Sequence, residues 1–222
     1  MKSLINHNGE IMSKFSVNDI ISSLKKKRKA FVSEADFQLE LAWEIQEKYK
    51  EKAQVFCEYV PFFDTSMHID ILVIMGKEWI PIELKYKTRK ANVEIYDPLS
   101  YQLKEQGAKD HACYDYLKDI SRIEEIKQQL ENSEDYTFEQ GYAIFLTNQH
   151  NYKDEPNKSV MYYNFSVFEN RIIEKEESLA WNGKPSAGTT AKREKPIILK
   201  NKYEFNWTDY NDDFCLLINR IQ

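Results

Sequence analysis

The chain has 222 residues, of which 30% are charged and 14% are aromatic, and its formal net charge is −5. This composition suits one globular domain with a sizeable core and excludes an intrinsically disordered chain. No apolar stretch approaches the roughly 20 residues of a membrane span, and the net negative charge means that any binding of nucleic acid would depend on local basic patches.

Two helices are predicted in the first quarter of the chain. They follow residues 1–15, which lack the apolar core of a signal peptide and are expected to be flexible. Residues 16–28 carry apolar side chains at helical spacing. Ser33 and Asp36 form a capping-box variant that begins a second helix, which runs to about residue 50. The inward face of this second helix is predicted to carry Gln38, Leu41, Ala42, Ile45 and Tyr49.

Glu34 is the acidic residue of the second helix that is best aimed at the core. It lies four residues before Gln38 and so extends the inward face at the first turn. An alternative is that Glu34 only stabilises the helix N-terminus through the helix dipole. Glu40, Glu44 and Glu47 fall on the other side of the helix and are expected to meet water.

A β-hairpin over residues 67–87 is the most informative part of the sequence. It follows a predicted strand at 55–63, and its two apolar runs flank Gly76 and Lys77, a signal for a two-residue loop. With that loop, Asp70 faces Glu83 and their β-carbons lie about 4.5–5.5 Å apart. Because side chains alternate along a strand, Lys85 shares the face of Glu83.

Two carboxylates that face each other on a half-buried sheet repel each other unless a positive charge lies between them. A hard divalent cation with oxygen ligands meets that need. The alternative is an ordinary hairpin whose polar face meets water. However, the first strand of the hairpin has apolar side chains on both faces, such as Ile71 on one and Leu72 on the other. This pattern is typical of a covered sheet. The pattern therefore favours a metal site at Asp70 and Glu83.

The pattern Asp70-x12-Glu83-x-Lys85 on a hairpin resembles the motif of the PD-(D/E)XK nuclease superfamily, which includes many restriction endonucleases and Holliday junction resolvases. Ile69 stands where the motif often has proline. The resemblance implies that Asp70 and Glu83 hold Mg²⁺, with Glu34 as a further ligand and Mn²⁺ as the expected substitute. It also implies that Lys85 places or activates the attacking water. The segments IELKYKTR and KEQGAKDHACYDYLKDISRIE are similar to uncharacterised bacterial members of that superfamily.

The later elements are predicted from apolar runs and chain breaks. A long helix is expected over residues 100–130, interrupted near Gly107, and residues 141–147 are predicted to form a buried strand. A further strand at 161–168 and a long loop at 174–193 follow. Late strands are expected at 197–199, 203–207 and 214–218.

The predicted fold class is therefore α/β. A restriction-endonuclease-like core in the order αβββαβ occupies about residues 31–150, with a mixed central β-sheet flanked by helices, and residues 151–222 add extra C-terminal strands. All 222 residues are assigned to a single domain. The three cysteines, Cys57, Cys113 and Cys215, are widely spaced, which indicates buried free thiols and a cytoplasmic location.

Nucleic acid, and DNA in particular, is the partner that the resemblance implies. Lys87, Arg89 and Lys90 form a basic run directly after the hairpin, where a phosphate backbone could lie, although such a run is usually a solvated surface. Contacts to nucleic acid are also considered for three polar side chains, which are His68, Gln102 and Gln106. A homodimer or a partner in a defence system is considered as well.

The sequence thus predicts a metal-dependent endo- or exonuclease that hydrolyses phosphodiester bonds with a metal-activated water. The alternative is a catalytically idle module on the same fold that binds nucleic acid or another protein. The nuclease has one geometric requirement, which is that Asp70, Glu83 and Lys85 lie together at one place in the sheet.

Overall fold

Four α-helices lie in the part of the chain that the computed structural model describes, which is residues 14–96 and 98–222. They are α1 (Val17–Lys27), α2 (Glu34–Tyr49), α3 (Lys109–Leu130) and the short α4 (Ala187–Thr190). The first two helices begin as predicted. Ser16 Oγ accepts a hydrogen bond from Asp19 N, and Ser33 Oγ accepts one from Asp36 N, which satisfies backbone donors that a helix N-terminus leaves free.

The strands fall into one main sheet and three small ones. They are β1 (Gln54–Tyr59), β2 (Ile69–Met75), β3 (Glu78–Lys87), β4 (Ala91–Tyr96), β5 (Leu99–Leu103), β6 (Thr137–Phe138), β7 (Gly141–Thr147), β8 (Arg171–Ile173), β9 (Ser178–Leu179), β10 (Ile197–Ile198), β11 (Tyr203–Phe205), β12 (Trp207–Asp209) and β13 (Cys215–Ile221). The main sheet has the order β1-β2-β3-β7-β13-β12, and β6 also pairs with β3. Because β7 and β6 run parallel to β3 while the other pairs are antiparallel, the sheet is mixed, as predicted.

Helices cover both faces of the main sheet. On one face, α1 and α2 pack against Ile71, Val73 and Ile82. On the other face, α3 packs against Leu72 and Trp79. The fold is therefore α/β with a central sheet flanked by helices, and the hairpin of β2 and β3 lies in its interior.

Residues 100–130 do not form one helix, and this prediction was wrong. Residues 99–103 form β5, which pairs with β4, and the helix begins at Lys109. The reason is that Leu103 and Val93 alternate with exposed residues and bury themselves as a strand pair against the α1 and α2 core. The strand over 141–147 and the late strands are found where they were predicted, and β13 joins the main sheet.

The strand predicted at 161–168 is also absent from the described residues. A short 3-10 turn at Tyr163–Phe165 takes its place. Its carbonyl groups turn toward the buried guanidinium of Arg171, which donates to the carbonyls of Tyr163, Asn164 and Ser166. The predicted loop at 174–193 contains β9 and α4.

Two burial predictions need correction. Glu44, expected to meet water, is only 5% exposed because α1 packs over it, and Lys27 Nζ lies 2.5 Å from its Oε2. Cys57 is exposed because β1 is the edge strand, whereas Cys113 and Cys215 are buried free thiols as predicted. Residues 1–13, most of the segment that was expected to be flexible, lie outside the described residues, and Phe15 is buried.

Among the helices that the structure describes, none combines the length and the apolarity needed to cross a membrane.

Candidate active site

The hairpin of β2 and β3 has the predicted register. Ile71 pairs with Ile82 and Met75 pairs with Glu78, so that Gly76 and Lys77 form the two-residue loop. Gly76 has φ +65°, the left-handed region that the first position of such a loop requires. The pairing ends at Ile71 and Ile82, so the next pair that the register predicts, Asp70 with Glu83, is not part of the ladder.

Asp70 and Glu34 meet at one edge of β3, where the pairing with β2 ends. Asp70 Oδ2 accepts a hydrogen bond from Leu84 N at 2.6 Å, and Glu34 Oε2 accepts one from Tyr86 N at 2.7 Å. These two amides are two residues apart on the same edge, which places them about 7 Å from each other. The side chains thus bond to amides that β2 no longer reaches.

Each of these two carboxylates uses one oxygen in this way. Within residues 14–96 and 98–222, the second oxygens, Asp70 Oδ1 and Glu34 Oε1, accept no hydrogen bond. Gln38, from the inward face of α2, donates Nε2 to the Asp70 carbonyl at 2.6 Å and holds the backbone at that point. The predicted inward direction of Glu34 is therefore observed, although its side chain remains largely exposed.

Glu83 lies on the α3 face of the sheet and is 1% exposed. Its Oε1 accepts a hydrogen bond from Arg122 Nη1 at 2.9 Å. Arg122 also donates to the His68 carbonyl at 3.3 Å and lies 3.4 Å from Asp119 Oδ1. Glu83, which was predicted to face a metal ion, thus faces a guanidinium group in this structure.

Lys85 shares that face and pairs with the same helix. Its Nζ lies 2.6 Å from Asp119 Oδ2 and donates to the Leu84 carbonyl at 3.1 Å. Asp119 is 2% exposed. Asp119 and Arg122, three residues apart on α3, therefore belong to a largely buried cluster and not to the solvated surface of the helix. Asp119 lies three residues after Tyr116 and one before Ile120, both buried, and this inward spacing was the signal that could have identified it.

The cluster holds more carboxylates than cations. Its acids are Glu34, Asp70, Glu83 and Asp119, and its cations are Lys85 and Arg122. The site therefore carries an excess of negative charge. This excess is costly because carboxylates taken out of water without full compensation resist ionisation.

The pKa values follow from this imbalance. Burial, reinforced by the charges of Asp119 and Glu34, raises the pKa of Asp70 to about 6. Burial, reinforced by Asp119 and Asp70, also raises the pKa of Glu83 well above its ordinary value. Burial alone would lower the pKa of Lys85, but the carboxylates of Asp119 and Glu34 outweigh it and the pKa is raised.

Mg²⁺ fits the donor chemistry of the cluster. The free oxygens of Asp70 and Glu34 are hard ligands beside an excess of negative charge, as Mg²⁺ prefers. Even so, no group of three or more His, Cys, Asp or Glu side chains in the described part of the chain is already arranged to hold a metal ion. Glu83, the third predicted ligand, is bound by Arg122 instead.

The predicted basic residues follow the site along the chain. Lys87 ends β3 on the face of Lys85 and is half-buried, while Arg89 and Lys90 are exposed just beyond it. Gln102 is exposed on β5.

Of the two other predicted nucleic-acid contacts, one side chain has a structural partner among the described residues and one does not. Gln106 Oε1 accepts a hydrogen bond from Thr88 N at 3.0 Å, so its amide stabilises the end of β3. His68 is exposed and lines a pocket of about 330 Å³ with Lys118 and Arg122 among its other residues. Gln106 is thus not free to bind a ligand through that oxygen, whereas His68 is accessible.

Comparison of the chain with family models, with curated proteins and with solved structures finds no match in any of the three.

Proposed function

We propose that this protein is a metal-dependent nuclease of the PD-(D/E)XK superfamily that hydrolyses phosphodiester bonds in DNA. The observation that supports it most is that Asp70, Glu83 and Lys85 lie near enough for their charges to interact, at the point in a covered sheet where β2 and β3 separate. Glu34 reaches the same edge from α2. With the β4–β5 ribbon and the short β6 left aside, the element order α2, β1, β2, β3, α3, β7 supports a restriction-endonuclease-like core.

The metal site would use the free oxygens of Asp70 and Glu34. Glu83 would join them once Arg122 released it. The bound Mg²⁺ or Mn²⁺ would polarise the phosphoryl oxygen and lower the pKa of its water. The carboxylates of Asp70 and Glu34, which both retain some exposure to solvent, would neutralise part of the ion's charge.

Lys85 acts through its charge. Because its pKa is raised, it stays protonated at neutral pH and does not accept a proton from the attacking water. A fixed positive charge beside the reacting phosphate stabilises the negative charge that develops in the transition state. Asp119 holds the ammonium group in place as a positioning residue.

DNA would reach the site over the basic segment that follows β3. Lys87, Arg89 and Lys90 would contact phosphates, which position a duplex without reading its sequence. The buried free thiols, Cys113 and Cys215, support a location in the reducing cytoplasm.

An idle nucleic-acid-binding module is the second candidate. It is favoured by one observation, which is that Glu83 and Lys85 already have ion-pair partners on α3. A module of this kind would bind DNA with the same residues and would not cleave it.

A cleavage assay separates the two candidates. Supercoiled plasmid, linear duplex and single-stranded DNA are incubated with the protein and Mg²⁺, Mn²⁺ or EDTA. The nuclease cleaves only with metal, and Asp70→Asn and Lys85→Met each lower the rate by about 100-fold or more. Glu44→Gln is the matched control, because it neutralises a buried, ion-paired carboxylate outside the site. Binding without cleavage by the unaltered protein would contradict the enzyme.

A further inference from the structure

A two-stranded ribbon stands apart from the main sheet directly after the proposed catalytic strand. β4 and β5 pair only with each other among the described residues, and β4 begins four residues after β3 ends. The base of the ribbon is fixed. Thr88 Oγ1 donates to the Lys104 carbonyl at 2.8 Å, and Gln106 N donates to the Thr88 carbonyl at 2.8 Å.

Asn148 adds a second attachment at the ribbon's base. Its Oδ1 accepts a hydrogen bond from Arg89 N at 2.7 Å, and its Nδ2 donates to the Arg89 carbonyl at 3.2 Å. Asn148 and Thr88 are both buried. The ribbon therefore keeps a defined position relative to β3 and its carboxylates.

The two faces of the ribbon differ sharply. Val93, Ile95 and Leu103 are buried against the core formed with α1 and α2. Asn92 and Gln102 lie directly across from each other on the opposite face, and both are exposed. Within the residues that the structure describes, neither side-chain amide makes a hydrogen bond. The ribbon thus presents to solvent two adjacent amides that make no hydrogen bond with a described residue.

The base of the ribbon is positively charged, although the whole chain is negative. Arg89, Lys90 and Lys104 are exposed, and none forms an ion pair with a described residue. Glu105, next to Lys104 in the chain, accepts a hydrogen bond from Lys90 N at 2.9 Å. On the ribbon itself, Glu94 is paired with Lys29 at 2.6 Å, which reduces its repulsion of a polyanion.

We propose that the β4–β5 ribbon enters the major groove of duplex DNA and that Asn92 and Gln102 recognise adenine there. This inference rests on the proposed function for its substrate. The major groove is about 12 Å wide and admits a two-stranded ribbon, and Asn and Gln amides pair with the N6 and N7 atoms of adenine. The cations at the base contact the flanking phosphates. Duplex RNA is excluded as the ligand, because its major groove is too narrow and deep for side chains to read.

A binding selection tests this inference. The full chain carrying Asp70→Asn is used to select from a pool of randomised duplexes, and an adenine-containing motif is expected. Replacing the selected adenines with 7-deazaadenine removes N7 from the major groove only, and weakens binding by roughly tenfold or more. Adding Asn92→Ala and Gln102→Ala abolishes the preference for the motif and retains the weaker, salt-dependent binding to any duplex.

The control removes two exposed amides elsewhere, with Gln128→Ala and Gln129→Ala at the end of α3, and leaves the motif unchanged. The inference is overturned by the absence of duplex binding, by the absence of a motif, or by a motif that survives the Asn92 and Gln102 substitutions. Plasmid cleavage by the unaltered chain reports separately on the proposed function. If the chain cleaves plasmid but selects no motif, only the inference about the ribbon is overturned. If it selects a motif but does not cleave plasmid, only the proposed nuclease function is overturned.

Discussion

Lys85 on β3 and Asp119 on α3 form an ion pair in the interior, with Nζ 2.6 Å from Oδ2 and side chains that are 16% and 3% exposed. A neighbouring pair, Glu83 with Arg122 at 2.9 Å, joins the same strand to the same helix. The helix that covers the candidate site therefore also holds its charged groups, and changes in α3 are expected to alter both stability and metal binding.

Removing the ammonium group of Lys85 should lower the free energy of unfolding far more than neutralising its partner, Asp119. Lys85→Met leaves four carboxylates beside Arg122 alone, and we expect a loss of about 3–5 kcal/mol in the free energy of unfolding. Asp119→Asn reduces the excess of negative charge and should cost much less. Urea denaturation at neutral pH measures both. Lys202→Met, which breaks the exposed pair with Glu174, is the control and should cost less than about 1 kcal/mol. Equal losses for the two site variants would contradict this account of the charges.

Arg122→Met should change stability and metal affinity in opposite directions. Without metal, the buried Glu83 loses its partner and the protein is destabilised. With metal, a competing positive charge is gone, so Mg²⁺ should bind roughly tenfold more tightly or better. Calorimetric titration and the midpoint of thermal unfolding measure the two effects. The control is Arg193→Met, which breaks the pair with Asp115 on the same helix. Weaker Mg²⁺ binding by the Arg122 variant would rule out Glu83 as a ligand.

The free energy of unfolding should fall as pH rises. The reason is that the pKa of Asp70 is about 6 in the folded protein, above its ordinary value of 3.8. The stabilising contribution of protonated Asp70 is complete below its ordinary pKa. It is lost as pH rises through the pKa of Asp70 in the folded protein. The loss is about 3 kcal/mol as an upper bound. Glu83, whose pKa is also raised, acts in the same direction.

Asp70→Asn keeps an acceptor for Leu84 N and removes the ionisation. Its stability should therefore fall less than that of the unaltered protein between about pH 4 and pH 7. Urea denaturation across this range measures the slope. Asp212→Asn, at an exposed position, should leave the slope unchanged. Identical slopes for the Asp70 variant and the unaltered protein would show that Asp70 ionises normally.

Gly141→Ala should disturb the contact between β7 and α3. A Cβ at this position would lie 2.3 Å from Ile123 Cγ2, closer than any real contact. We expect a loss of about 1–3 kcal/mol or more in stability, and partial recovery when Ile123→Ala is added. Gly107→Ala has no atom within 4 Å of the new Cβ and should be nearly neutral. Full stability of the Gly141 variant would show that α3 can move away from the sheet.

The sequence predicted those parts of the structure that are determined by residues close together in the chain. Gly76 set the register of the hairpin, and Ser33 set the start of α2, so Asp70, Glu83 and Glu34 could be placed from the sequence. Partners distant in sequence decided the rest. Nothing near Arg122 shows that it reaches Glu83, and nothing near Glu44 shows that α1 packs over it.

Because β2 and β3 separate, two backbone amides of β3 can report on the state of Asp70 and Glu34. Leu84 N and Tyr86 N bond to side chains rather than to a neighbouring strand, so their protection against deuterium uptake depends on the charge and the ligands of Asp70 and Glu34. Isotope exchange at these two positions can therefore follow occupation of the site in the absence of any substrate.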